Sequence, residues 1–176
     1  MLKRPNKYII IICFSIMFLI LINCTSKVQK SKTAPPFELS GLNHRVVRLS
    51  DYSGSKVLLL WFTNLCSGCE KNLPILENLY QNFKKKNLEI LAISVLGSDT
   101  ETVEGILEKS KVDFPFLIDP EGKVCELYSG KYIPETCPAV NLFLIDKQGR
   151  IRFESHFPGT TENELAEELD KVIKET

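Results

Sequence analysis

The feature that most constrains this chain is a junction. Val57 to Phe62 (VLLLWF) is an unbroken apolar run, and after Thr63-Asn64-Leu65 comes Cys66-Ser67-Gly68-Cys69. A run this short and apolar at every position is expected of a strand covered on both faces. From Glu70 to Lys86 the period changes: Leu73, Leu76, Leu79, Tyr80 and Phe83 fall on one helical stripe. The two cysteines therefore lie where a buried strand hands over to a helix. A strand that needs cover on both faces demands helices above and below a sheet, an α/β architecture.

The rest of the pattern agrees. Phe37-Glu38-Leu39 and Val46 to Leu49 are short strands around a polar turn at Gly41-Leu42-Asn43, and Ser50 to Ser53 is a helical turn. Leu88 to Val95 is a second buried strand, Asp99 to Lys111 a helix starting at Asp99 or Thr100, and Phe114 to Asp119 a short strand. Gly122 to Tyr128 is a short helix. Leu142 to Ile145 and Ile151 to Glu154 form a hairpin around Lys147-Gln148-Gly149-Arg150, and Thr161 to Lys174 is a closing amphipathic helix. Strands alternating with helices, then a hairpin and a helix, imply a sandwich with a mixed central sheet.

The N-terminal segment belongs to targeting. Lys3, Arg4 and Lys7 precede the apolar stretch Tyr8 to Ile22, which is short of the roughly 20 residues of a membrane-spanning helix. The stretch ends at Leu21-Ile22-Asn23-Cys24, which resembles a bacterial lipobox, although Asn23 stands where Gly, Ala or Ser is usual. On that resemblance residues 1–23 are a signal peptide, Cys13 is discarded with it and Cys24 carries lipid. An uncleaved anchor is the alternative. In both cases the basic flank stays inside, and the domain lies in the cell envelope outside the cytoplasmic membrane. Thr25 to Pro36 is polar, Lys-rich and ends in two prolines, so residues 24–36 are expected to be a flexible tether and residues 37–176 the folded domain.

Lys+Arg and Asp+Glu balance at 22 each, which argues against nucleic acid as a partner. Of six cysteines, four remain for the domain: Cys66, Cys69, Cys125 and Cys137. They sit in a compartment where disulfides persist.

Several stretches together resemble the thioredoxin superfamily, in its membrane-tethered thiol-disulfide oxidoreductase branch, related to the AhpC/TSA redoxins. They are Pro35-Pro36-Phe37-Glu38-Leu39, Leu49-Ser50-Asp51-Tyr52, Val57 through Cys69, Leu73-Pro74-Ile75-Leu76-Glu77 and Phe143 to Ile151. The resemblance spans Pro35 to the C-terminus. It implies a thioredoxin-like three-layer α/β/α sandwich with a mixed central sheet and an N-terminal β extension. It also implies disulfide exchange with exported proteins bearing cysteines or disulfides, such as reduction of apocytochrome cysteines or of misformed disulfides. A membrane or exported electron donor would serve it. The membrane would be reached through the lipid.

Disulfide exchange needs a thiolate to attack and a second thiol to release the mixed disulfide. The positive end of a helix favours a thiolate, which assigns Cys66 as nucleophile. Cys69, one turn deeper and within disulfide reach, is the resolving thiol of a redox-active Cys66–Cys69 pair. Ser67-Gly68 leaves the first sulfur accessible. Sulfur carries this chemistry, with no cofactor or metal expected.

Three departures from the family stand out. The carboxylate three residues after the second cysteine is replaced by Asn72, and the family's other buried acid falls near Leu60. Glu70 is expected to face solvent. The family's cis-proline before the final hairpin falls by spacing at Val140, with Pro138 two residues early and Pro134 six; either Pro138 or Pro134 fills the role or the role is vacant, and the substrate groove is expected around Val140 and Pro138. Cys125 and Cys137 are extra and flank Glu126 to Thr136. A structural disulfide there would contribute about 2–3 kcal/mol in the chain-entropy model. A second redox pair relaying electrons, or free thiols, are the alternatives. Cys-x2-Cys followed by Cys-x11-Cys is a poor zinc spacing.

Two rival functions follow. A peroxiredoxin-like peroxidase fits Thr63-Asn64-Leu65-Cys66, but Leu59 stands where its proline is expected, and its arginine near Val140 is missing. A copper carrier on this fold would pair the cysteines with His156. His44 and His156 otherwise read as solvated loop residues.

Overall fold

The structure, a computed structural model, describes residues 32–96, 99–134 and 136–176. The expected signal peptide, Cys13 and Cys24 lie outside the described residues.

The described elements, in chain order, are β1 (Lys32–Thr33), β2 (Glu38–Gly41), β3 (Val46–Arg48), β4 (Val57–Thr63), α1 (Ser67–Phe83), β5 (Leu88–Ser94), α2 (Thr100–Ser110), β6 (Phe116–Ile118), α3 (Lys123–Ser129), β7 (Leu142–Ile145), β8 (Arg150–Ser155) and α4 (Glu162–Glu175). All eight strands join one sheet in the order β1-β8-β7-β4-β5-β6-β2-β3. β4, β5 and β6 run parallel, and β7 lies antiparallel against β4 with Trp61 opposite Leu142.

Side-chain alternation along β4 explains the layering. Val57, Leu59 and Trp61 pack on one face with Leu73 and Leu76 of α1, Val103 of α2 and Leu165 and Leu169 of α4. Leu58, Leu60 and Phe62 pack on the other with Val124, Cys125 and Tyr128 of α3, together with Ala34 and Phe37. Every residue of β4 is buried, as its unbroken apolar run requires. The result is a mixed sheet between helical layers, extended by the β2–β3 hairpin beside β6.

Local signals set most boundaries. Asp99 caps α2 by accepting the Thr102 amide, and Thr161 and Glu164 form a reciprocal capping box at α4. α1 starts at Ser67 with Cys66 at its N-cap, so Cys66 opens the helix as expected, and it runs through Pro74.

One expectation needs correction. The tether was expected to extend to Pro36, but Lys32 and Thr33 pair with Ile151 and Arg150 at the sheet edge. Ala34 is buried and donates its amide to Gly149 O at 2.9 Å, and the Tyr128 hydroxyl donates to Pro35 O at 2.7 Å. Thus the fold includes Lys32 to Pro36. The polar composition of this stretch hid an edge strand, which needs only backbone hydrogen bonds.

Candidate active site

The turn from β4 into α1 is held by side chains bonding to nearby amides. Thr63 Oγ1 accepts the Leu65 amide at 2.9 Å, and Asn64 Oδ1 accepts the Cys66 amide at 3.3 Å. Between them Leu65 has φ of 49°, in the left-handed region. That conformation costs a bulky residue about 1–3 kcal/mol and persists only when its surroundings impose it. Leu65 is buried in the α1-side core, which supplies that constraint.

The turn delivers Cys66 to the N-cap of α1, where it is exposed, and puts Cys69 in the first helical turn, 1% exposed. Both are free thiols, and Cys66 Sγ donates to Cys69 Sγ at 3.2 Å. Small exposed residues, Ser67 and Gly68, lie between them. One sulfur meets solvent while the second waits beneath it, the arrangement that attack followed by resolution requires.

None of the positions considered for an acidic helper reaches Cys69. Asn72 turns back to donate to Gly68 O at 2.6 Å, Glu70 is exposed, and Leu60 faces the opposite core. The partners of the Cys69 thiol are the Thr63 hydroxyl, Cys66 and, from the loop before β7, Cys137. The hydrogen bond to Cys137, reinforced by burial, pushes the Cys69 thiol up despite the bonds from Thr63 and Cys66.

Cys137, at the far end of the loop that begins after Cys125, is the thiol that the fold brings to the dithiol. In the fold it packs against the α1-side core, where its sulfur meets Cys69. Asn141 Nδ2 also donates to Cys137 Sγ at 3.3 Å, and the Asn64 backbone adds a third hydrogen bond. The Cys69 bond first, then Asn141 and Asn64, bring the Cys137 thiol down to about 7 against the opposing effects of burial and the nearby Cys66. Asn141 is itself fully buried and exchanges two hydrogen bonds with the Phe157 backbone, at 2.9 and 2.7 Å. It ties the loop before β7 to the loop after β8. Thr63, Asn141 and Cys137 share one legible signal, a polar or sulfur side chain at the end of, or just before, an apolar strand.

Cys125 lies elsewhere. It is fully buried in α3 on the opposite face of the sheet, where its thiol contacts Ser129 Oγ at 3.9 Å and its amide donates to Asp119 at 2.8 Å. The expected Cys125–Cys137 pairing is therefore corrected: the sheet separates the two thiols.

For the family's cis-proline before the final hairpin, the vacant alternative applies. Among the described residues the one cis peptide bond is Phe157–Pro158, so neither Pro138 nor Pro134 follows a cis bond. Pro138 is buried and its carbonyl meets the His156 ring at 3.2 Å, whereas Val140 packs on the α3-side core and its carbonyl accepts from Ser129. Neither side chain is placed as a groove-lining cis-proline. His44 is exposed in a turn. Among the described residues no group of three or more His, Cys, Asp or Glu side chains is arranged to hold a metal ion, and the His156 ring is turned to Pro138 O.

Comparison with known proteins agrees with this geometry. The AhpC/TSA family model matches residues 31–154. The thiol-disulfide oxidoreductase ResA of Geobacillus thermodenitrificans is 34% identical over 146 residues, covering 82% of this chain and 79% of that protein. Among solved structures, one assigned as thiol:disulfide interchange protein DsbE of Chlorobium tepidum matches with a TM-score of 0.67 at 26% identity, covering 84% of this chain and 99% of that one. The mitochondrial 2-Cys peroxiredoxin of Plasmodium falciparum matches with a TM-score of 0.67 at 25% identity, covering 81% and 93%. With a buried strand, a Cys66/Cys69 dithiol at the helix start and these relatives, the chain belongs to the AhpC/TSA family within the thioredoxin superfamily and is a thiol-disulfide oxidoreductase.

Proposed function

We propose that Cys66 attacks disulfides of exported, cysteine-bearing proteins and that Cys69 resolves the resulting mixed disulfide. The observation that carries this reading is the exposed Cys66 at the start of α1 with the buried Cys69 sulfur 3.2 Å away. Cys66 thiolate attacks one sulfur of the substrate disulfide, and the other leaves as a thiolate. Cys69 then attacks the Cys66 sulfur and expels the remaining substrate thiolate, leaving substrate reduced by two electrons and the Cys66–Cys69 pair oxidised. Run backwards, the same steps oxidise a substrate dithiol. The reduction potential of the pair decides the working direction, a low value marking a reductase.

The test is to trap the intermediate. Cys69→Ser accumulates a covalent protein–substrate disulfide at Cys66, visible as a mass increase that dithiothreitol reverses, while Cys66→Ser forms none. Trapping by Cys66→Ser and none by Cys69→Ser would reverse the assignment of roles.

The peroxidase reading has support in the peroxiredoxin neighbour, but Thr63 serves Cys69 rather than Cys66. Peroxide consumption by wild type no faster than by Cys66→Ser excludes it.

We further propose residues 1–23 as a signal peptide, Cys24 as the lipidated residue and the cell envelope as the location, supported by the basic flank, the apolar stretch and the cysteine that ends it. Cys24→Ser would then shift the protein from the membrane pellet to the soluble fraction; retention in the pellet would favour the uncleaved anchor.

A further inference from the structure

The resolving step has an unsolved proton. Cys69 must lose its proton to attack, yet its thiol is 1% exposed and no carboxylate is among its partners. Of its three neighbours, Cys66 donates a hydrogen bond to it and the Thr63 hydroxyl lies beside it; only Cys137 takes the hydrogen bond from Cys69 as a group able to hold the proton at neutral pH.

We propose that Cys137 is the proton acceptor for Cys69, a third catalytic thiol in place of a carboxylate. This rests on the exchange mechanism proposed above. The Cys137 sulfur is built to carry a negative charge: Asn141 Nδ2 donates to it at 3.3 Å, the Asn64 backbone and Cys69 supply two more hydrogen bonds, and it is only partly exposed. Asn141 is held fixed by its two bonds to Phe157, so the donor cannot swing away. With its thiol brought down to about 7, Cys137 is a thiolate in a substantial fraction of molecules at neutral pH, matched to a base working near that pH.

The step balances. In the Cys66–substrate mixed disulfide, Cys137 thiolate takes the Cys69 proton. Cys69 thiolate attacks Cys66 Sγ, the new Cys66–Cys69 bond forms, and the bond from Cys66 to the substrate sulfur breaks. The substrate leaves as a thiolate, which takes a proton from Cys137 or water. The groups facing Cys137 are Cys66 and Cys69 from α1, Asn64 from the preceding turn and Asn141 from its own loop; the imidazole of His156, after β8, is turned to Pro138 O.

The experiment uses 5,5′-dithiobis(2-nitrobenzoic acid) with the reduced full-length protein. Attack by Cys66 releases a first equivalent of coloured thiolate, and resolution by Cys69 releases a second. The second phase, followed from pH 5 to pH 10, is expected in wild type to rise with pH about a midpoint near 7, where Cys137 ionises. Cys137→Ala should slow that phase at neutral pH by on the order of a hundredfold and move its midpoint upward, with the first phase little changed. Cys137→Asp, which restores an acceptor, should recover much of the rate. A second phase in Cys137→Ala with the wild-type rate and midpoint overturns the proposal. So does peptide mapping that finds Cys69 joined to Cys137 as the main oxidised product, since Cys137 would then be a disulfide partner. A first phase that survives Cys66→Ser instead overturns the underlying assignment of the nucleophile, so the two failures are distinct.

Discussion

Cys69 and Cys125 are both buried thiols, and their neighbours separate them. Cys69 has a sulfur on either side and a hydroxyl beside it, whereas Cys125 has only the weak contact to Ser129 and sits among apolar side chains of the α3-side core. Burial pushes the Cys125 thiol up from 9.0 to about 11, with the Ser129 bond opposing and the charges of Asp119 and Glu126 adding to it. Above pH 9 the unfolded chain releases this proton while the folded chain keeps it. The stability tied to Cys125 is therefore present below pH 9 and lost as pH rises towards 11. Urea unfolding from pH 8.5 to 11 should show a shallower loss of stability in Cys125→Ala than in wild type; parallel curves would contradict the assignment. At this scale the Cys66-Ser67-Gly68-Cys69 motif was legible because its meaning depends on adjacent residues. The fate of Cys137 was not, because its partners Cys69, Asn64 and Asn141 come from three separate stretches.

Among elements, the β7–β8 hairpin shows how a buried charge is sustained. Asp146 is 2% exposed and accepts the amides of Gln148 at 3.0 Å and Arg150 at 2.9 Å. It also accepts from the side chains of Arg150 at 2.7 Å and Arg152 at 3.3 Å. Burial pushes its carboxyl up, but the bonds and charges from Arg150 and Arg152 outweigh burial, and its affinity for a proton is lowered overall. The contribution is present above the usual 3.8 and is lost as pH falls through the lower folded value. Asp146→Asn should destabilise the protein by about 1–3 kcal/mol at neutral pH and flatten its acid unfolding below pH 4, both measurable by denaturant titration. The turn itself was visible in Lys147-Gln148-Gly149-Arg150, where Gly149 takes φ of 74°. The helix starts were also visible where a side-chain cap exists, as at Asp99 and Thr161. α1 begins before its apolar stripe, which starts only at Leu73, and its start is marked by the Cys66-Ser67-Gly68-Cys69 turn and not by a side-chain cap.

For the whole molecule, the sheet is closed at one edge by a strand of two residues. Removing residues through Pro36 strips β1 from β8, deletes the buried Ala34 and leaves the Tyr128 hydroxyl without Pro35. The expected loss is about 1–3 kcal/mol relative to a chain starting at Ser31, read as a lower urea midpoint. Equal midpoints would show that the fold begins at Phe37. Period and local chemistry, which act over a few residues, were enough in the sequence to determine the alternation of strands and helices, the α/β class and the dithiol at the strand-to-helix junction. The identity of Cys66 as the exposed member followed from the same local rules. Only the tertiary structure decided that Lys32 to Pro36 joins the sheet and that Cys137 belongs with Cys69 rather than Cys125. The reason is geometric. β7 docks antiparallel on β4 with Leu142 opposite Trp61, which brings the loop before β7 to the end of β4 where α1 begins. Chain proximity made Cys125 and Cys137 look like partners, and the intervening sheet puts them on opposite sides.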